Sequence, residues 1–235
     1  MVGVLFPSKF EAESFIAGLG GSTEKTFGDL WTCAGQHEGS PVAVGIVGIG
    51  PRPAARRTRE FLRAIPVRSV VLAGFGGSLT HRLKKGDTII AAEVSSEELI
   101  NFMKLLPDFS IAKVFTTDRV VSGREAKLAL AQQTGCQVVD MEMAPVAEVV
   151  REHGLEFMCV RAISDGLDDE LPAEILAKTY DPESGLPYST TRLAATFALQ
   201  PWKVKTLTTF VGGLGPVRDH LTRFLNGVVR EMASV

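Results

Sequence analysis

The stretch QVVDMEMAPVAEVVREHGLEFMCVRAISDGLDDE, residues 137 to 170, leaves a chain few ways to fold. Val138 and Val139 open it as a short apolar run; Met143, Val146, Val149 and Val150 then recur at the spacing of one helical face, as far as Gly154. A second apolar run, Phe157 to Ile163, stops at Ser164, Asp165 and Gly166. This order predicts a βαβ unit, whose crossover requires a sheet with helices on its faces. Acids stand at the carboxyl ends of both strands, Asp140 and Glu142 after the first and Asp165 after the second, where open α/β sheets bind ligands. The same acids have a structural reading, with Asp140 as a helix cap, Glu142 as a first-turn acid favoured by the helix dipole, and Asp165 as the start of a turn. Arg161 weighs against a purely structural role. A guanidinium inside FMCVRAI lacks free access to water, and a buried charge requires a partner, either the nearby acids or a ligand.

Further apolar runs punctuate the rest of the chain. Val2 to Phe6 predicts a buried strand, and Ser8 to Gly18 a short helix with Phe10, Phe15, Ile16 and Leu19 turned inward. Strands are predicted at 27–34 and 41–48, around the polar turn QHEGS, then at Ser69 to Ala73, Asp87 to Val94 and Ile111 to Phe115. Helices are predicted after Gly50, with Pro51 in the first turn, and over Arg124 to Gln133. Nearly all these strands are uniformly apolar, which argues for a three-layer α/β/α fold around a central mixed, largely parallel sheet. At 235 residues and 45% hydrophobic content, one large α/β domain is expected. From about residue 171 it carries a helical C-terminal extension, with helices near Thr191 to Gln200 and Val217 to Met232 joined by the less regular WKVKTLTTFVGGLG.

A net charge of −2 gives no electrostatic footprint for nucleic acid or an anionic membrane. No apolar run approaches a membrane span, and MVGVLFPSKFEAE lacks the marks of a signal peptide, so a soluble cytoplasmic protein is expected. Cys33, Cys136 and Cys159 are widely separated and read as reduced core thiols. His37, His81, His153 and His220 have no metal spacing, so no metal is expected.

Two glycine clusters follow strands. GIGPRP at 48–53 follows a strand and opens a helix, as a dinucleotide loop must, but Pro53 replaces its third glycine and no acid ends a second strand about 20 residues on. No phosphate-cradling G-x-x-x-x-G-K-[ST] occurs, and no cofactor is expected. AGFGGSL at 73–79 reads as a second glycine turn, where absent side chains let a ligand approach the backbone.

Taken together, VVDMEMAPVAEVVREHGLEFMCVRAISD, GVLFPSKFEAE, GIVGIGPRPAA and AGFGGSLTHRLKKGDTII resemble, in this order, the purine nucleosidase and nucleoside phosphorylase superfamily. The likeness is nearest to methylthioadenosine/S-adenosylhomocysteine nucleosidases and hopanoid-associated nucleoside phosphorylases, and it covers roughly residues 2–165. It implies that Asp165, beside Ser164, is the acid that protonates N7 of a departing adenine. It implies that Glu142 and the backbone of Met141 bind the ribose hydroxyls, that Glu11 activates the attacking water, and that Arg161 holds that water or Glu142. The backbone of Val121 would meet the base edge and Val120 its face, with Ile49 and Phe75 also on the substrate. A homodimer acting on a small-molecule nucleoside that carries a 5′ substituent follows from the same resemblance.

Such chemistry suits these residue types. N-glycosidic cleavage passes through an oxocarbenium-like state, so the leaving base needs a proton and the cationic sugar needs carboxylates. Phosphorylases of this superfamily hold phosphate with arginines and a serine on the glycine segment, where this chain has Phe75. Glu11 near that position would repel a phosphate dianion and suit a water, which favours hydrolysis. Lys9, Arg52 or an arginine of a neighbouring subunit leaves phosphorolysis open. Phe75 also departs from the nucleosidases, and residues 94–110 are shorter than the nucleosidase loop that builds the 5′ pocket. A silent nucleoside-binding protein is the rival from another class.

Overall fold

In a computed structural model, residues 1–103, 109–181, 183–189 and 201–234 are described. Among them, ten strands form one mixed sheet: eight run in the order β2-β3-β4-β1-β5-β10-β6-β7, and β9 pairs with β5 and β8 off that path. These are β1 (Val2–Phe6), β2 (Gly20–Phe27), β3 (Leu30–His37), β4 (Ser40–Ile46), β5 (Ser69–Ser78), β6 (Thr88–Ala91), β7 (Phe109–Ala112), β8 (Val114–Thr116), β9 (Val138–Asp140) and β10 (Glu156–Asp165). The centre, β4-β1-β5-β10, is parallel. It is also its most apolar part: β1 is buried along its whole length, as parallel strands covered on both faces must be.

Helices cover both faces. On one side α1 (Lys9–Ala17) and the C-terminal α8 (Gly215–Ser234) pack Phe15, Val217, Leu221, Leu225 and Val228 against Val4, Val44, Val71 and Met158. On the other, α2 (Pro51–Ala64) and α5 (Met143–Glu152) pack Ala54, Phe61, Met143, Val146 and Val150 against Leu5, Leu72, Cys159 and Ile163. Each buried Val, Leu, Ile, Phe or Met side chain among these contributes about 1.5–3 kcal/mol. The expected three-layer α/β/α fold is the observed one. The remaining helices are α3 (Glu97–Met103), α4 (Arg124–Thr134), α6 (Ala173–Leu176) and α7 (Pro201–Gly212). Thus WKVKTLTTFVGGLG is largely the helix α7, whereas the expected helix at Thr191 to Gln200 lies outside the described residues.

Several expectations need correction. The strand expected at 27–34 is the second arm of a hairpin, β2-β3, turning at Gly28. The first arm is exposed almost throughout and carries no apolar signal. Residues 111–115 belong to two strands, β7 and β8, each in a different parallel pair. Phe10 and Ile16 are half-buried and Cys136 is outside the core, although Cys33 and Cys159 lie inside it. The 137–165 segment is not a regular βαβ unit: β10 runs parallel to β5, but β9 pairs antiparallel with the end of β5, at Gly77 and Ser78. Finally, residues 73–79 are no turn. Gly74, Gly76 and Gly77 all lie inside β5.

Candidate active site

These three glycines make room for buried polar groups. A Cβ on Gly74 would lie 2.5 Å from Nη1 of Arg161 and 2.8 Å from Oε1 of Glu11. One on Gly77 would lie 3.0 Å from Oδ2 of Asp165, and one on Gly76 would strike Val138 at 2.9 Å. Any larger residue would therefore displace the charged groups or the β9 strand. The space in β5 holds protein side chains as much as it admits a ligand.

Around this space a cavity of about 470 Å³ opens at the carboxyl ends of the central strands. Glu11, Ile49, Phe75, Val120, Val121, Met141, Glu142, Ser164 and Asp165 all line it. Arg161 is the one expected site residue that is not on its wall; it lies behind, fully buried in β10.

Arg161 organises one end of the site. Its Nη2 donates to Oδ2 of Asp140 and, at 3.4 Å, to Oε2 of Glu142. The same Asp140 Oδ2 accepts the Met143 N–H at 2.8 Å, and Oδ1 accepts the Thr116 hydroxyl at 2.7 Å. Asp140 is thus both cap-like acid and principal partner of the buried guanidinium. Nε and Nη1 of Arg161 have no hydrogen-bond partner among the described residues, and Nη1 shares the Gly74 side of the strand with Glu11. Burial lowers the proton affinity of Arg161, but Asp140 and then Glu142 and Glu11 raise it, and the net displacement is upward, so it stays charged.

Glu142 opens α5 and accepts the Gly50 N–H at 2.9 Å. That contact gives GIGPRP a function in this site: Gly50 has φ 98°, a backbone conformation that favours glycine, and in it the N–H is aimed at the carboxyl. Burial pushes Glu142 up to about 8, against the pull of Arg161. Glu11 sits in the first turn of α1, capped by Ser8, and its Oε1 accepts the Phe75 N–H at 2.9 Å. Burial likewise raises its pKa, while the Ser8 and Phe75 hydrogen bonds oppose the rise. Phe75 therefore acts at its backbone. Its ring lies edge-on to Phe10, with centroids 6.3 Å apart.

At the other end, a β-bulge at Ser164 shifts the β10 register on β5 and re-aims Asp165 into the cavity. Asp165 Oδ1 accepts the Ser164 hydroxyl, and Oδ2 accepts Lys127 Nζ at 2.6 Å. Burial raises the Asp165 pKa, with Lys127 and Ser164 pulling it down. Lys127 and Thr116 escaped the reading of the sequence, in which Asp140 is a strand-end acid and helix cap without a specific role in the site. The signal for Lys127 was its phase: it stands three, four and seven residues before Leu130, Ala131 and Thr134, the half-buried stripe of α4.

Lys9 and Arg119 are on the cavity wall, the Lys9 Nζ lying 4.1 Å from the Trp31 ring centroid, whereas Arg52 is exposed and off the wall. Among the described residues no group of three or more His, Cys, Asp or Glu is placed to hold a metal, and no helix is long and apolar enough to cross a membrane.

Comparison with known proteins matches this fold. A curated 5′-methylthioadenosine/S-adenosylhomocysteine nucleosidase of Shewanella oneidensis is 22% identical over 205 residues, 74% of this chain and 87% of that protein. The crystal structure of the Helicobacter pylori nucleosidase of the same name, with butyl-thio-DADMe-Immucillin-A, superposes with a TM-score of 0.72 at 19% identity, covering 98% of this chain and 97% of that one. A futalosine hydrolase mutant of Helicobacter pylori gives 0.65 at 19% identity, over 93% and 98% of the two chains. The family model of the phosphorylase superfamily matches residues 2–110 and 102–185, and the chain belongs to that superfamily.

Proposed function

We propose that this protein hydrolyses the N-glycosidic bond of an adenosine-type, 5′-modified nucleoside and releases adenine. The observation that carries the reading is the placing of four buried carboxyls in and behind one cavity, with a single guanidinium among three of them and Asp165 apart at the far end. Similarity to nucleosidases supports it.

In this reading Asp165 donates its proton to N7 of the leaving base as the C1′–N9 bond breaks. Glu11 takes a proton from the water whose oxygen bonds to C1′, beside the unpartnered Nη1 of Arg161. Glu142 and the Met141 backbone bind the ribose hydroxyls. Glu11 and Glu142, both raised by burial, are costly as anions in the empty site. A cationic sugar reverses that cost, so the carboxyls stabilise the transition state more than the ground state. Phe10, Phe75, Phe210, Val211 and Leu214 line the same cavity and suit an apolar 5′ substituent.

Hydrolysis rather than phosphorolysis is supported by Glu11 beside Phe75, where a dianion would meet a carboxyl. The test measures adenine released from 5′-methylthioadenosine, S-adenosylhomocysteine and adenosine with and without phosphate. Release without phosphate is expected, and Asp165→Asn should abolish it. A strict phosphate requirement with ribose 1-phosphate as product would overturn hydrolysis; binding without release would leave a silent nucleoside-binding protein. The exposed Ile111 and Phe115 support a homodimer, which sedimentation would test.

A further inference from the structure

Helix α4 buries one residue completely, and that residue is a lysine. Lys127 reaches from the helix into the site, and its three donors are all taken: by Asp165 Oδ2 at 2.6 Å, by the Gly166 carbonyl, and by the Asp169 carbonyl at 3.3 Å. A buried ion pair is a poor means of docking a helix, since desolvation offsets the attraction and an apolar residue would serve as well or better. An ammonium with three acceptors is also in no position to donate to a ligand. Of its three acceptors, Asp165 is the one side chain of the site.

The two oxygens of Asp165 are held differently. Oδ2 is fixed by Lys127. Oδ1 accepts only the Ser164 hydroxyl, which has an alternative acceptor in the Gly76 carbonyl at 3.3 Å. A hydroxyl can rotate from one to the other and release Oδ1; a saturated ammonium cannot release Oδ2.

We infer that Lys127 is a positioning residue which fixes Oδ2 of Asp165 and reserves Oδ1 as the oxygen that carries the proton to the base. This rests on the reading of Asp165 as the acid. The groups facing Asp165 are few: Lys127 from α4, Ser164 from β10 and Asp169 from the loop that follows. On the β5 side Gly77 lies against Asp165, with Val139 of β9 beside it. Burial favours the neutral acid and Lys127 opposes it, so loss of Lys127 lets Asp165 hold its proton to higher pH. Activity that needs the protonated acid is lost as pH rises through its pKa, so the alkaline limb of the profile must move up.

The experiment compares the native chain with Lys127→Met and with Lys127→Gln, which keeps a donor but no charge. Two readouts are taken: the pH dependence of kcat/KM for adenine release from 5′-methylthioadenosine, and the Asp165 carboxyl titration by infrared difference against Asp165→Asn. Both midpoints should rise by at least about one pH unit in each folded variant, the usual effect of an adjacent opposite charge. Ser164→Ala should shift them less. Midpoints unchanged within about 0.3 unit, with kcat lowered equally at every pH, would overturn the inference and leave Lys127 as a docking pin. If Asp165→Asn still releases adenine, the assignment of the acid falls, while the infrared midpoints continue to judge Lys127 by themselves.

Discussion

Replacing Arg161 by methionine removes the guanidinium that Asp140 and Glu142 share while roughly keeping its volume. The side chain is wholly buried, and so are the two carboxyls it joins. Removing one partner of a buried pair typically costs about 3–5 kcal/mol, because the other charge is left uncompensated. Against a total stability of about 5–15 kcal/mol, that is a large share. At roughly 2–4 °C per kcal/mol for a domain of this size, the midpoint of thermal unfolding should fall by roughly 6–20 °C. The deficit should also depend on pH. Glu142 is raised to about 8 in the fold, so in the native chain it loses stability as pH climbs from its ordinary value toward 8. Without Arg161 that folded pKa rises further, and the loss continues above 8. Urea unfolding at pH 6 and pH 9 should thus show a larger deficit at the higher pH. Adding Asp140→Asn should recover about 1–2 kcal/mol, since the orphaned carboxyl goes with its partner. A deficit below about 1 kcal/mol, equal at both pH values and unrelieved by Asp140→Asn, would refute the claim that one guanidinium compensates these acids.

Two further changes test the same site. Gly74→Ala should cost about 1–3 kcal/mol, as its methyl meets Nη1 of Arg161 and Oε1 of Glu11. Displacing those groups by about an ångström should lower kcat roughly 10²-fold, measured by adenine release. Glu142→Gln keeps an acceptor for the Gly50 N–H but loses the negative charge, so kcat/KM should fall by about 10²–10³. Because it removes a group whose raised pKa costs stability at alkaline pH, the variant should resist urea better than the native chain at pH 9 and about equally at pH 5.

The sequence displayed the site acids because acids interrupting apolar runs have few places to go. Glu142, Asp165 and Arg161 stood out for that reason, and so did the central strands. Elements that bury no apolar face stayed hidden. β2, with GGSTEKTF exposed along an edge, has no periodic signal at all. The glycines of β5 misled for a related reason: in a turn and in a strand crowded by a neighbouring guanidinium, glycine looks the same, and only the three-dimensional neighbour separates the two cases. Lys127 was obscured because a lysine on an amphipathic helix ordinarily faces water. Partners such as Asp140 with Arg161, 21 residues apart, depend on strand order, which local pattern does not encode.

The seat of Glu11 depends on the far end of the chain. Helix α8 packs on α1, where Ser14 donates to Asp219 at 2.8 Å across 205 residues and Arg218 pairs with Glu13. A ribosome adding about 5–20 residues per second needs roughly 10–40 s to travel that distance. During that interval the nascent protein holds Glu11 on a helix whose outer cover has not been made. The site is thus finished by residues synthesised some 205 positions later, and a chain halted before residue 215 would carry the acids without the support that holds one of them in place.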